Sequence, residues 1–198
     1  MNTSVKNRWV GGGVLVALGI LISVLPVSAR HLVQDDLRRS APELTVEATN
    51  WINTGGKAVR LYENGTNKTV DRVTVLAFWT HGCINCERTV PFWNDWAKRY
   101  AEKGVSIISI HTPELDFERK PENVRRYVRE KGIVFPVAID NDSAVWNAYG
   151  VRVWPTTILL DAKGREQARW EGELDYNKSG GYKRFERRIE QLLRRRQQ

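Results

Sequence analysis

Cys83 and Cys86 are the only cysteines of this 198-residue chain, and they lie in the run Phe78-Trp79-Thr80-His81-Gly82-Cys83-Ile84-Asn85-Cys86-Glu87. Two thiols one helical turn apart can close a short disulfide and reopen it, which is two-electron chemistry. A structural zinc site wants four ligands at recognisable spacings, and two thiols do not supply them. Haem attachment through Cys-x-x-Cys needs His directly after the second cysteine, where this chain has Glu87. A permanent structural disulfide is the plainer alternative, but so tight a loop constrains the unfolded chain little compared with a long one. The spacing therefore points to a redox-active pair.

The elements around the pair must position it. Residues 73–79 form an apolar, β-branched-rich run that reads as a buried strand. Residues 83–102 follow as a helix with Val90, Trp93, Ala97 and Tyr100 or Ala101 on one face; Pro91 predicts a kink in it and Gly104 ends it. A second buried strand spans 105–110, and a charged helix spans 122–130 with Val124, Tyr127 and Val128 inward. Residues 135–139 read as a strand and 143–149 as a short helix capped by Asp142 or Ser143. Segments 156–161 and 166–171 flank Ala162-Lys163-Gly164-Arg165 as a hairpin. Tyr182, Phe185, Ile189, Leu192 and Leu193 then repeat at helical spacing in a closing amphipathic helix. This alternation implies an α/β fold, a central mixed sheet flanked by helices.

Residues 10–29 are almost wholly apolar and follow Lys6 and Arg8. About 20 apolar residues cross a bilayer core as a helix, and the run ends Pro26-Val27-Ser28-Ala29, small residues of the kind cut by signal peptidases. The segment is a single-pass signal-anchor or a signal peptide cleaved after Ala29, and its length favours the anchor. The expected organisation is a tail at 1–9, the transmembrane segment at 10–29, a linker at 30–40 and one domain at 41–198, the bulk lying outside the cytoplasm. The formal net charge of +8 gathers in 119–131 and 183–196. Both read as solvated helix faces, with attraction to anionic lipid as the functional alternative. No nucleic-acid motif accompanies the charge. Asn-x-Thr/Ser patterns at Asn64, Asn67 and Asn177 matter only in a eukaryotic secretory setting.

The chain resembles membrane-tethered members of the thioredoxin superfamily of the TlpA/ResA-like branch, and in particular the extracytoplasmic thioredoxin-like domains fused to cytochrome-biogenesis membrane proteins of the DipZ type. The residues that carry the resemblance are Trp51-Ile52-Asn53-Thr54, Phe78-Trp79-Thr80, the Cys83–Cys86 motif with Arg88, Thr89 and Pro91, His111-Thr112-Pro113-Glu114, and 149–157. It covers roughly residues 41–195. It implies a thioredoxin-like fold with an inserted helix and strand within 112–135. Cys83, at the first turn of the helix, is then the attacking nucleophile, and Cys86 the resolving thiol. The resemblance also makes Pro155 a cis-proline beside the cysteines, leaving Trp154 to pair with substrate main chain to main chain. Thr156 follows in the same loop, and Ile84-Asn85 offers an apolar rim.

Two departures stand out. Ala77 stands where many thioredoxins carry a buried acid, and Thr89 stands where ResA-type members carry Glu. Glu87 and Glu114 are the candidates for the missing proton relay, and His81 for favouring the thiolate. The implied activity is a thiol–disulfide oxidoreductase reducing protein disulfides, with a role in cytochrome c maturation. It needs no cofactor beyond the redox-active pair and no metal; its electrons come from a membrane donor of the CcdA/DsbD type. A thiol peroxidase would need Pro-x-x-x-Thr-x-x-Cys, which the residues before Cys83 do not supply. A copper-delivery module would draw on Cys83, Cys86 and His81 or His111.

Overall fold

Strand β2, Val73–Trp79, is buried along its whole length, as expected of an apolar run covered on both faces. In this computed structural model the described residues are 40–63 and 71–196. The apolar run at 10–29 and the patterns at Asn64 and Asn67 lie outside them. Six strands form one mixed sheet in the order β1-β4-β3-β2-β5-β6. β3 (Val105–His111) runs parallel to β2, pairing Val73 with Val105 and Trp79 with His111. β4 (Val137–Ile139) adds parallel to β3, and β1 (Trp51–Ile52) antiparallel to β4. β5 (Thr156–Leu160) lies antiparallel on the other side of β2, and β6 (Glu166–Glu171) completes the predicted hairpin.

Alternate residues of β2 face two apolar clusters. Val73, Val75, Ala77 and Trp79 join helices α1 (Ile84–Tyr100), α2 (Pro121–Glu130) and α4 (Gly181–Arg196). Leu76 and Phe78 join the segment 41–61 and helix α3 (Ala144–Ala148). Both clusters are built within 41–192, inside the compact unit 39–198, so this unit contains the core it needs to fold by itself. Helices α1 and α4 lock through stacked rings: Trp96 lies 5.3 Å from Tyr182 and 5.5 Å from Phe185 between centroids.

Four expectations shift. The insert at 112–135 holds helix α2 and a 3-10 turn at Asp116–Arg119 but, among the described residues, no strand, the next strand being β4. The strand expected from residue 135 begins at Val137, because Pro136 has no N–H for the ladder and contributes its carbonyl to Ser109 instead. Helix α1 starts at Ile84 with Cys83 as its N-cap, and Tyr100 rather than Ala101 is its last buried residue. Ser143 makes no capping bond; the buried carboxylate of Asp140 accepts from the N–H groups of Val145 and Trp146 at 3.0 and 2.9 Å, with Asp142 bonding Ala144. Among the described residues no helix is long and apolar enough to cross a membrane.

Candidate active site

The end of β2 delivers Thr80-His81-Gly82 to Cys83, whose extended backbone caps α1. The first turn of a helix has N–H groups without intrahelical partners and carries the positive dipole end. The Cys83 sulfur accepts from the Cys86 N–H at 3.4 Å. Its pKa falls to about 6: the hydrogen bond from the Cys86 thiol contributes most, partial burial opposes it, and the N–H groups of Cys86 and Asn85 add to it. Cys86 is fully buried, and burial foremost pushes its thiol far up, with its bond to Cys83 in the same direction. Both sulfurs are thiols, not a disulfide. One sulfur is thus half-exposed and ionised at neutral pH, and the other is buried and protonated.

The loop opposite is set by a cis Trp154–Pro155 peptide. The Cys83 thiol stands 3.9 Å from the Trp154 carbonyl. The Trp154 indole donates to the Thr112 carbonyl at 3.0 Å and stacks on Trp146, so the ring anchors the loop while the main chain faces the sulfur. Thr156 is buried, its hydroxyl donating to the Val153 carbonyl. Ile84 at the start of α1, Leu115 and Phe117 around the 3-10 turn at Asp116–Arg119, and Val153 next to Trp154 are exposed large apolar side chains.

Behind the cysteines lies a polar cluster of which sequence reasoning picked out only part. Glu118 is 1% exposed, and its carboxylate takes the Gly82 N–H at 2.8 Å and the N–H groups of Glu114 and Leu115 at 2.7 Å each. Burial would raise its pKa, but these donors and the Thr80 hydroxyl outweigh it and hold Glu118 below the usual range. Gly82 is required there: a Cβ on it would come within 2.4 Å of the Glu118 carboxylate. His81 Nδ1 meets His111 Nε2 at 3.0 Å, the rings stacked. His111 is fully buried beside Trp79, and desolvation foremost, then the His81 charge, pushes its pKa down to about 3. Burial also lowers the pKa of His81, against the pull of Glu118. Both imidazoles are therefore neutral at pH 7. The Tyr127 hydroxyl is buried without a hydrogen-bond partner; burial, then the charges of Glu87, Cys86 and Cys83, raises its pKa.

The two relay candidates from the sequence sit elsewhere. Glu87 is exposed and pairs with Lys131 at 2.6 Å. Glu114 is also exposed, although its charge reaches Cys83 and opposes ionisation there. Ala77 is buried opposite Thr157 on β5, whose hydroxyl accepts from the Trp93 indole at 3.1 Å, so an apolar ring covers this level of the sheet. Thr89 is buried and its hydroxyl bonds back to the Asn85 carbonyl. Glu118 carries no spacing signal to single it out among Glu114, Asp116, Glu118 and Glu122. The pairing of Trp79 with His111 could have been read from the parallel alignment of the two buried strands. Among the described residues no three His, Cys, Asp or Glu side chains come together as a metal-ligand set.

A mixed sheet, a cysteine capping the helix after its central strand, a second cysteine one turn on and a cis-proline loop against the first sulfur define a thioredoxin-like protein. The AhpC/TSA family profile matches residues 37–167, and the chain belongs to that family. It is 38% identical over 181 residues to Protein DipZ of Mycobacterium bovis, covering 88% of this chain and 24% of DipZ. It is also 36% identical over 107 residues to the thiol-disulfide oxidoreductase ResA of Bacillus thuringiensis, covering 54% of this chain and 59% of ResA. The chain thus spans about a quarter of the length of DipZ. Among solved structures, a thiol:disulfide interchange protein of the thioredoxin family from Chlorobium tepidum superposes with a TM-score of 0.58 at 21% identity, over 79% of this chain and 97% of the other, which shows the shared fold.

Proposed function

We propose that this chain is a membrane-tethered, extracytoplasmic thiol–disulfide oxidoreductase that reduces protein disulfides. The observation that carries the proposal is the contrast between the two sulfurs: Cys83 half-exposed with a pKa of about 6, and Cys86 buried and protonated. The Cys83 thiolate attacks one sulfur of a substrate disulfide, and the other leaves as a thiolate that takes a proton from water. Cys86 then attacks the Cys83 sulfur, its proton going to the second substrate sulfur as that leaves as a thiol, and the Cys83–Cys86 disulfide forms. The substrate gains two electrons and the protein loses two. A membrane donor of the CcdA/DsbD type, by analogy, returns them.

In this reading Pro155 and Trp154 hold the incoming backbone, Trp154 through its main chain. Ile84, with Leu115, Phe117 and Val153, forms an apolar rim for polypeptide rather than small-molecule disulfides, and Asn85 beside it offers a polar contact. Thr156 fixes the cis-proline loop. His81, with His111 and Glu118, sets the polarity behind Cys86. Residues 10–29 tether the domain to the bilayer in this reading, and cytochrome c maturation is the setting we propose, by analogy with the DipZ and ResA types.

The test is the reduction potential of the pair, by equilibration against a dithiol buffer with thiol alkylation. A value near about −270 mV supports a reductase, and one near about −120 mV reverses the direction of electron flow. Failure to form an internal disulfide overturns the redox reading. Extraction of the full chain from membranes at alkaline pH tests the tether separately: release into the soluble fraction overturns it.

A further inference from the structure

We infer that the end of the domain farthest from Cys83 is a docking face for an anionic phospholipid surface. This rests on the proposed tether at 10–29 and adds what the domain itself does at the bilayer.

Sheet register defines the two ends. β5 begins with Thr156 opposite Phe78, at the cysteine end, and finishes with Leu160 opposite Thr74, where β2 starts. The β5–β6 turn therefore lies at the far end. The chain enters the domain there: Ser40 bridges to Arg165, and the Ala41 N–H donates to the Gly164 carbonyl at 2.8 Å. Helix α4 ends there too, since the Arg196 guanidinium reaches Asp71, just before β2, at 3.3 Å and also lies against Gly104, just before β3.

These placements gather Arg72, Lys103, Lys163, Arg194, Arg195 and Arg196 at one pole, all six exposed. Among the described residues, the exposed carboxylates at this end are Asp71, Glu102 and Glu63, the last following Tyr62, whose hydroxyl donates to the Ala41 carbonyl. Asp161, at the same end, is nearly buried and engaged by Arg165 and Gln167, while Glu190, half-buried and accepting from the neutral Tyr100 hydroxyl, is a further carboxylate of this end. Exposed cations therefore outnumber exposed carboxylates at the pole by six to three, and they surround the point at which the chain enters the domain. Were the tether at 10–29 in place as proposed, this pole would be the end joined to it, and each cation near an anionic surface adds to the attraction. Docked in this way, Cys83 stands roughly 20–25 Å above the far pole, the length of seven strand residues, and faces away from lipid. Free solution chemistry would not need this arrangement, but delivery of an exposed thiolate to partners at a fixed height does.

The experiment uses the 39–198 unit without the apolar segment, so that binding cannot come from insertion. Co-sedimentation is compared on vesicles of phosphatidylglycerol with phosphatidylcholine and on phosphatidylcholine alone. Expected is binding to the anionic vesicles only, lost at about 1 M salt, where the screening length is about 3 Å. The triple variant Arg194→Gln, Arg195→Gln, Arg196→Gln should bind about 100-fold more weakly. A second variant, Lys103→Gln with Lys163→Gln, should weaken binding by roughly tenfold through side chains on other elements. Equal binding to both vesicle types, no binding to the anionic vesicles, or unchanged binding of both variants overturns the inference. Disulfide reduction by the same unit in solution is measured in parallel; if it persists while vesicle binding fails, the lipid face alone falls.

Discussion

A sulfur's reactivity is decided within one helical turn here. Cys83 accepts from the Cys86 N–H and thiol and ionises at about 6, against the ordinary thiol value of about 8.5. Alkylation of the reduced protein by iodoacetamide should therefore rise with pH around an inflection near 6, and in Cys83→Ser no rapid phase should remain below about pH 8.5. An inflection near 8.5 in the native protein would contradict this account of the site. The second residue-scale prediction concerns Gly82, whose missing side chain makes room for the Glu118 carboxylate. Gly82→Ala should cost about 1–3 kcal/mol in urea unfolding, as overpacking does; a variant as stable as the parent would show that the carboxylate moves aside without cost. At this scale the sequence was read unevenly. Cysteine spacing announced itself because no other cysteine competes with the pair. Glu118 did not, because its role depends on which of several neighbouring carboxylates the short helical turn at Asp116–Arg119 points inward.

At the scale of elements, strands and helices were legible wherever an apolar period ran long, as in β2, α2 and α4. They were least legible where a single atom decides. Pro136 delays β4 by lacking one hydrogen, and of the expected caps Asp142 or Ser143 only Asp142 bonds α3, at Ala144, while Asp140 takes the N–H groups of Val145 and Trp146. Asp140 also accepts from the Thr112 hydroxyl at 3.0 Å, and the Thr112 carbonyl holds the Trp154 indole. Asp140→Ala would leave two N–H groups and a hydroxyl without their acceptor. The expected loss is about 2–4 kcal/mol in chemical denaturation, with slower disulfide exchange because the cis-proline loop loses its support. An unchanged midpoint would mean that water takes over the capping role.

Stability of the whole molecule should carry the signature of His111. Its folded-state pKa of about 3 lies below the ordinary value of 6.5, so it stays neutral while the unfolded chain becomes protonated. The unfolded state then holds one more proton between those values, and stability falls as pH drops through that window, by about 1.4 kcal/mol per pH unit. Glu118, whose pKa is also depressed, adds a loss in the same direction as it protonates. Unfolding free energies of the native protein and of His111→Asn, compared from pH 7 to pH 4, isolate the histidine: the difference between them should shrink as pH falls. Parallel curves would mean that His111 is already protonated, or solvated, in the fold.

The sheet's outer strands carry one more consequence. β1 is two residues long, and β6 presents Glu166, Gln167, Arg169 and Glu171 along its length, none of them deeply buried. Short edges and alternating charges discourage strand-to-strand pairing between molecules. Copies held in the plane of a membrane by the proposed tether would meet far more often than the same number dispersed in three dimensions. Edges of this kind let such a crowd collide without zipping together.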